Sequence, residues 1–295
     1  MRKDMEGLSS EQQFSTVSLI AAQINNEMDN RLKALENAAD SAMQPMQQGP
    51  AAMQALIDQH TLLHTLFNGG IIAHGLDGTA IADYPASAQR LGGNYMFAEN
   101  VATALKEGKA SISRPLLDNQ LKSPLIGLAV PIRNAQGKVI GSLEGVIKLG
   151  RPNFLDGIMA SRYAKTGGYL LVDPQHRLIV TATDKSRIME VQPAPGINPL
   201  IDRFINGYEG SAVIVNPLGV ETLASAKGIP AAGWIMSAVM PTEEAFAPIR
   251  GMQQRMLIAM IFLSLMVGGL VWWMLRRQQA AMNCLTAWGI GGRIS

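Results

Sequence analysis

The side chains in this chain best suited to metal binding or acid–base catalysis are four histidines. They are His60, His64, His74 and His176. None of them stands at a metal-ligand spacing with a cysteine or within an HExxH pattern, and the one cysteine is Cys284. His60 and His64 lie one helical turn apart and could share a face, but we interpret them as ordinary residues of a helix surface. Because no Ser/His/Asp or paired-carboxylate pattern converges either, we expect no cofactor, no metal and no enzymatic activity.

The overall charge and composition exclude one large class of partner. The 295 residues carry a net charge of +2, and 47% of them are hydrophobic. A net charge this small does not mark a nucleic-acid-binding protein or a strongly basic membrane surface. We therefore expect no nucleic-acid partner, in a chain long enough for two domains.

An uncharged stretch at residues 256–275 predicts a transmembrane helix. Its length is about the twenty residues needed to cross the hydrocarbon core of a bilayer. Arg276 and Arg277 follow it, and paired arginines favour a short cytoplasmic tail over residues 276–295. Residues 1–255 would then lie on the other side of the membrane. The alternative is a buried core helix, although core helices are rarely apolar on all sides.

The start of the chain lacks the export signal that this topology requires. Residues 1–16 are polar and contain no apolar segment of the kind that signal peptides have. We expect an upstream start that supplies a first transmembrane helix. The alternative is that the domain stays inside the cell and the apolar stretch is a tail anchor.

A helical region precedes the rest of the fold. Between residues 9 and 47 apolar residues recur every three or four positions, which predicts one long helix. At 1.5 Å per residue it would span roughly 60 Å, so it should form a spine along a tall body or pair with a second chain. A second helix is predicted over residues 51–67. We expect residues 9–67 to form this spine, and a homodimer to form along it.

Residues 68–150 change to the pattern of an antiparallel sheet. Asp77-Gly78 is a strong hairpin signal between two short apolar runs. The predicted order is two strands, a helix and three strands, over residues 70–75, 79–83, 94–107, 110–114, 124–133 and 138–148.

The same order of elements recurs in residues 151–241. Its predicted elements cover residues 168–172, 178–183, 198–206, 210–215, 221–226 and 234–240. We expect an α+β fold, with a long N-terminal helix, two stacked antiparallel-sheet modules and then one transmembrane helix. Thr242, Glu243 and Glu244 resemble a helix start, so residues 242–255 should form a juxtamembrane helix without a flexible linker.

Several short motifs resemble a known family when they are taken in order. They are Leu76-Asp77-Gly78, Arg90-Leu91-Gly92-Gly93-Asn94-Tyr95, Ser113-Arg114-Pro115, Ala129-Val130-Pro131-Ile132 with Gly137 and Gly141, and Gly168-Tyr169. Across residues 10–250 they resemble the double Cache sensor domains of bacterial receptors, most closely those that precede diguanylate cyclases, with histidine kinases next. The resemblance implies two PAS-like modules, membrane-distal at 68–150 and membrane-proximal at 151–241. It also implies a periplasmic small-molecule sensor on the inner membrane.

The output of such a receptor is not visible in the sequence. Residues 278–295 are too few for a catalytic domain and contain no GGDEF, kinase or phosphoacceptor signature. We therefore expect a sensor region that lacks its output domain. The alternative function is a membrane-anchored adaptor or structural protein whose Cache-like modules bind a protein partner.

The resemblance also suggests where a ligand would bind. In double Cache sensors it usually lies in the membrane-distal module, between the sheet and the covering segment, here residues 84–95. The candidate ligand-binding residues are Tyr84, Arg90, Tyr95, Ser113, Arg114 and Asp118. The two arginines would bind a carboxylate through paired donors, the tyrosines would wall the pocket, and Asp118 would take an ammonium group. The amino-acid-binding version of the family has a fuller Tyr/Arg/Trp/Asp pattern that is not found here, which leaves small organic acids as ligands. The alternative is that both arginines are solvated surface residues.

Overall fold

The structure, a computed structural model, describes residues 2–117, 123–159, 166–216, 219–247 and 258–276. It divides into two compact units. The larger unit is Glu6–Glu244, and the other consists of Met1–Met5 with Ala245–Ser295.

Four consecutive helices open the chain. They are α1 (Arg2–Ser41), α2 (Met43–Gln48), α3 (Pro50–Gln59) and α4 (Thr61–Leu66). The helix predicted over residues 9–47 is therefore two helices, and the one predicted over residues 51–67 is interrupted at His60. Pro45 explains the first break, because its ring would clash with the carbonyl of Ser41 in a continuous helix.

The first module is an antiparallel sheet with one short helix. Its elements are β1 (Gly70–His74), β2 (Ala80–Tyr84), α5 (Glu99–Lys106), β3 (Ser111–Ile112), β4 (Leu116–Leu117), β5 (Pro124–Arg133) and β6 (Val139–Lys148). The strand order is β2-β1-β6-β5-β3, and β4 also pairs with β5. The strand predicted over residues 110–114 is shorter in the structure, where it is β3, and Pro115 separates β3 from β4. The predicted helix 94–107 begins at Glu99, since Asn94 instead forms a β-bridge with Thr79.

The second module repeats this plan. Its elements are α6 (Phe154–Met159), β7 (Gly168–Asp173), β8 (Leu178–Ala182), α7 (Pro199–Ile205), β9 (Gly210–Val215), β10 (Glu221–Ile229), β11 (Trp234–Pro241) and α8 (Thr242–Ala245). The strand order β8-β7-β11-β10-β9 matches that of the first sheet strand by strand. The predicted duplication is thus confirmed.

One continuous apolar core joins helices α1–α4 to both sheets. Helix α1 contributes a stripe of buried side chains that includes Val17, Ile24, Met28 and Leu35. Gln13 is also fully buried on this stripe, and its Nδ-type amide nitrogen, Nε2, donates to Leu223 O at 3.3 Å and Ala238 O at 3.2 Å. The core shows that both modules are built on the helical region, as the sequence predicted.

The predicted transmembrane segment is helical over Ile258–Arg276. These 19 residues are long and apolar enough to cross a membrane, and none of them is buried. Residues 248–257 and 277–295 lie outside the described residues. The continuous juxtamembrane helix over 242–255 and the cytoplasmic tail therefore stay predictions.

The two hydrogen bonds of Gln13 yield a stability prediction. Replacing Gln13 with Ala should destabilise the fold by about 2 kcal/mol, because two buried carbonyls on the second sheet lose their donor. For a unit of this size we expect the melting temperature to fall by roughly 4–8 °C, measured by circular dichroism. Gln12→Ala, one position away and exposed, is the matched control and should change the free energy of unfolding by less than about 0.5 kcal/mol. Equal effects of the two substitutions would contradict this role for Gln13.

Candidate functional site

The first module encloses a cavity on the face of its sheet that points away from the helical core. Its volume is about 280 Å³. Apolar side chains form its walls, among them Ile72, Phe97, Leu125 and Val146. The polar and charged side chains that line it include Arg90, Asn94, Tyr95, Glu144 and Lys148. A small concave site with few polar groups is the usual form of a ligand pocket.

Glu144 is the buried charge of this cavity. It lies in the middle of β6 and is 5% exposed. Its Oε1 accepts a hydrogen bond of 2.7 Å from Asn100 Nδ2 on α5, and its Oε2 lies 3.5 Å from His74 Nε2 on β1. His74 Nδ1 in turn lies 3.2 Å from Ser142 Oγ. Helix and strands therefore hold the carboxylate from one side and leave the cavity on the other.

The surroundings shift the pKa of both titratable groups in this cluster. Burial raises the pKa of Glu144 to about 7, although the hydrogen bond from Asn100 and the positive charge of Arg90 oppose the shift. Burial, and then the charge of Arg90, lower the pKa of His74 to about 3. Near neutral pH the imidazole is thus uncharged, and Glu144 exchanges between its protonated and charged forms. A cationic group arriving from the cavity would favour the charged form.

Gly127 makes room for this cluster. A Cβ at this position would overlap Glu144 Oε1 and lie 2.6 Å from Asn100 Nδ2. Because Gly127 is on β5 next to β6, any larger residue would push the carboxylate away from its amide partner. The glycine is therefore part of the site.

Arg90 lines the cavity, but most of its donors are used within the protein. Its Nε donates to Asp83 Oδ1 at 2.8 Å, Nη1 to Gly69 O at 3.0 Å and Nη2 to Tyr84 O at 2.8 Å. These bonds fasten the covering segment to the sheet. Arg90 consequently positions the cavity wall, and its charge is balanced by Asp83.

Tyr95 is the other predicted residue that lines this cavity. Its ring centroid lies 5.2 Å from that of His74 and 5.9 Å from that of Phe97. It therefore links the polar base of the cavity to an apolar wall.

The remaining predicted site residues lie elsewhere or outside the description. Tyr84 stacks on His64, with 3.6 Å between ring centroids, and does not line the cavity. Ser113 Oγ donates to Arg114 O and accepts from Gly127 N, so it ties β5 to the segment before β4. Asp118 lies outside the described residues.

Arg114 is exposed and lines a second, polar cavity of about 260 Å³. Its other lining residues include Glu99 from the first module and Asp173 and His176 from the second. His176 Nδ1 lies 2.7 Å from Asp173 Oδ2, and its Nε2 lies 3.8 Å from Glu99 Oε2. The structure thus separates Arg114 from Arg90, and a ligand role for Arg114 stays a prediction.

Sequence reasoning missed Glu144, His74, Asn100 and Lys148. The available signal was a carboxylate in the middle of an otherwise apolar strand, because a buried charge requires partners and often marks a functional site. Asn100 and His74 gave no comparable signal, since neither stands in a motif that predicts a contact with β6.

A long helix that carries two antiparallel-sheet modules, the first with a cavity around a buried carboxylate, defines a ligand-binding domain. The chain belongs to the Cache domain family, whose model matches residues 1–249. The resemblance seen in the motifs is confirmed by this match.

Solved structures share the fold at low sequence identity. The ligand-binding domain of the Pseudomonas aeruginosa PAO1 amino acid chemoreceptor PctB, in complex with L-Arg, has a TM-score of 0.64 and 19% identity, with 81% of this chain and 97% of that chain covered. The ligand-binding domain of the Pseudomonas fluorescens chemoreceptor CtaA, in complex with L-isoleucine, has a TM-score of 0.62 and 19% identity, with coverages of 83% and 96%.

A third solved structure is only partly covered. It is an extracellular ligand binding receptor from Desulfohalobium retbaense DSM5692, with a TM-score of 0.60 and 12% identity. The match covers 77% of this chain and 40% of that receptor. A comparison with curated proteins finds no match.

The raised pKa of Glu144 predicts a specific pH dependence of stability. An unfolded glutamate releases its proton near pH 4.5, whereas the folded protein retains it up to about pH 7. The folded state therefore binds more protons in this window, and stability falls as the pH rises through it. Relative to Glu144→Gln, the wild type should lose roughly 3 kcal/mol between these pH values, measured by urea unfolding.

Two comparisons isolate this effect. His74 acts in the opposite sense, because stability is lost as the pH falls from 6.5 toward 3, and it is present in both proteins. Glu11→Gln, an exposed carboxylate on α1, is the control and should leave the pH profile of the wild type unchanged. Parallel profiles for the wild type and Glu144→Gln would show that Glu144 has an ordinary pKa.

Proposed function

We propose that the chain is the sensor region of a transmembrane receptor of the bacterial inner membrane, with residues 1–255 in the periplasm. Membership of the Cache domain family and an apolar helix at Ile258–Arg276 support this topology. The chemoreceptor domains that share the fold support a role in signalling. A diguanylate cyclase or histidine kinase as the output stays a prediction from the motifs.

We propose further that the ligand is a small molecule with both an ammonium and a carboxylate group, bound in the cavity of the first module. The observation that carries this proposal is the buried Glu144, whose Oε1 has a protein partner while its other side borders the cavity. A ligand ammonium would supply the missing positive charge. Lys148, two pleats further along β6, would attract the carboxylate.

The size of the cavity and the known relatives agree with this ligand class. About 280 Å³ accommodates a single amino acid. The related domains of PctB and CtaA are described with L-Arg and L-isoleucine bound. We therefore place amino acids ahead of the organic acids suggested by the motifs, with Glu144 in the role that the sequence assigned to Asp118.

The alternative function, a protein-binding adaptor, calls for an exposed apolar patch on the first sheet and no enclosed cavity. The first module instead has a cavity with a charged base. This observation favours a small ligand over a protein partner.

The ligand class can be tested by calorimetry on the full chain in lipid nanodiscs. The panel consists of the standard L-amino acids, the 2-hydroxy acids that lack the amino group and the amines that lack the carboxylate. We expect at least one amino acid to bind and both of its truncated counterparts to bind about tenfold more weakly or worse, since each lacks one of the two charged groups that the site would recognise.

Substitutions of Glu144 and Lys148 test which ligand group each side chain binds. Glu144→Gln should weaken binding of the amino acid and of the amine, whereas Lys148→Met should weaken binding of the amino acid and of the 2-hydroxy acid. Lys138→Met, an exposed lysine in the β5–β6 turn, is the matched control and should bind as the wild type does. A 2-hydroxy acid that binds as tightly as its amino acid, or a panel without any binding, would refute the proposal.

We also propose that two chains pair along the exposed side of α1. This side is mostly polar but includes Leu8, 64% exposed, and Leu19, 71% exposed. Leu8 and Leu19 are about three helical turns apart, so they lie on the same side of α1 and would both face a second copy.

Leu19→Glu should therefore shift the protein toward monomer by about tenfold or more in dissociation constant, measured by analytical ultracentrifugation in detergent. Leu62→Glu introduces the same charge at a 61% exposed leucine on α4 and should leave the association unchanged. Association that is insensitive to Leu19→Glu would place the dimer contact elsewhere.

A further inference from the structure

The second module has a cavity of its own. Its volume is about 370 Å³, and it lies between α7 and strands β7, β10 and β11. Most of its wall is apolar, including Leu170, Val172, Ile201, Phe204, Ile214 and Ile235. Of these, Ile201, Phe204, Ile214 and Ile235 belong to an apolar cluster that is separate from the main core.

Strand register shows that this cavity occupies the same place in its module as the first cavity does. In the first sheet Gly70 pairs with Val146 and Ile72 with Glu144. In the second sheet Gly168 pairs with Val239 and Leu170 with Ser237. Because the two sheets share one strand order, Ser237 stands at the position of Glu144.

The same register identifies what replaces the polar cluster. The pair His74–Ser142 of the first sheet corresponds to the pair Val172–Ile235 of the second. At the corresponding positions the second sheet thus has one serine and two apolar side chains, in place of the carboxylate that lines the first cavity and the imidazole and hydroxyl beside it. The second cavity therefore has the same place in its module as the first, with Ser237 where the first has a buried carboxylate.

The charged residues at the edge of the second cavity balance one another. Arg187 Nε donates to Glu190 Oε2 at 2.6 Å, and Arg187 Nη2 donates to Glu190 Oε1 at 2.9 Å. The two charges of this pair cancel, so the described residues that line the cavity offer a ligand no net charge. Ser237 is half-buried, and within the described part of the chain its hydroxyl has no hydrogen-bond partner.

We propose that this cavity is a second ligand site, for an uncharged aromatic molecule of one or two rings with a single hydrogen-bonding group. The apolar wall would exclude a charged molecule, because burying an unpaired charge is costly. The volume suits rings, since an apolar cavity of about 150 Å³ is enough to hold benzene. Ser237 would bind the one polar group. The inference stands independently of the ligand proposed for the first module.

The test uses ¹⁹F NMR on the full chain in lipid nanodiscs with matched fluorinated probes. 4-Fluorophenol should bind saturably, above the partition measured with empty nanodiscs. 4-Fluorobenzoate and 4-fluorobenzylamine, which carry a negative and a positive charge, should bind about tenfold more weakly or not at all. Equal binding of a charged probe would overturn the proposed ligand class.

Two variants with a matched control locate the site. Val239→Phe fills the second cavity and should abolish 4-fluorophenol binding, whereas Val146→Phe fills the equivalent position of the first cavity and should leave it intact. Ser237→Ala removes one hydroxyl without adding bulk. It should weaken 4-fluorophenol several-fold, roughly the value of one hydrogen bond, and leave fluorobenzene unchanged.

Three further results would overturn the proposal. They are the absence of saturable 4-fluorophenol binding, loss of binding with Val146→Phe but not with Val239→Phe, and equal binding of 4-fluorophenol to Ser237→Ala and the wild type. Because the first cavity is tested with amino acids, failure here would leave the function proposed for the first module untouched.

Discussion

The buried stripe of helix α1 is the constraint on which the rest of the structure depends. Each sheet must bury one face, and the buried faces of both belong to one continuous core with the N-terminal helices. The opposite face of each sheet is then covered only by a short helix, α5 or α7, and its neighbouring segments. Such a cover cannot fill the whole width of a sheet, so each module retains a cavity between the two. The cavities are therefore a consequence of how the core is shared.

Duplication of the fold has preserved geometry while chemistry has diverged. The two sheets agree in strand order and register, yet the position of Glu144 in one is held by Ser237 in the other. The strands next to these positions, β5 and β10, also differ. Gly127, which admits the buried carboxylate, corresponds by register to Ala224, whose Cβ finds room beside a smaller side chain. A buried carboxylate thus requires space in the neighbouring strand, which a smaller uncharged side chain does not require.

Much of the fold could be predicted because its signals are local. The Asp77-Gly78 turn, with Gly78 at φ 79°, and the strands 124–133 and 138–148 follow from turn residues and apolar runs that need no tertiary information. The site could not be predicted in the same way. From Gly141 to Ile147 every residue of β6 is buried, so the sequence shows no alternation that would reveal which side chains face the cavity. Arg90 was found through a motif, but its bonds to Asp83 and to backbone carbonyls depend on how the covering segment folds back onto the sheet.

Strand β6 is the element through which a bound ligand would act on the core. Glu144 faces the cavity, while its neighbours Leu143 and Gly145 face the helices. The ring of Phe67, at the end of α4, lies against Gly145 in a space that a Cβ would occupy. A ligand changes a conformational equilibrium only by binding one arrangement better than another. A ligand that stabilises the charged form of Glu144 would therefore favour whichever position of β6 suits that charge. Because the opposite side of the same strand is packed closely against Phe67, a shift of β6 toward the helices would press on the end of α4.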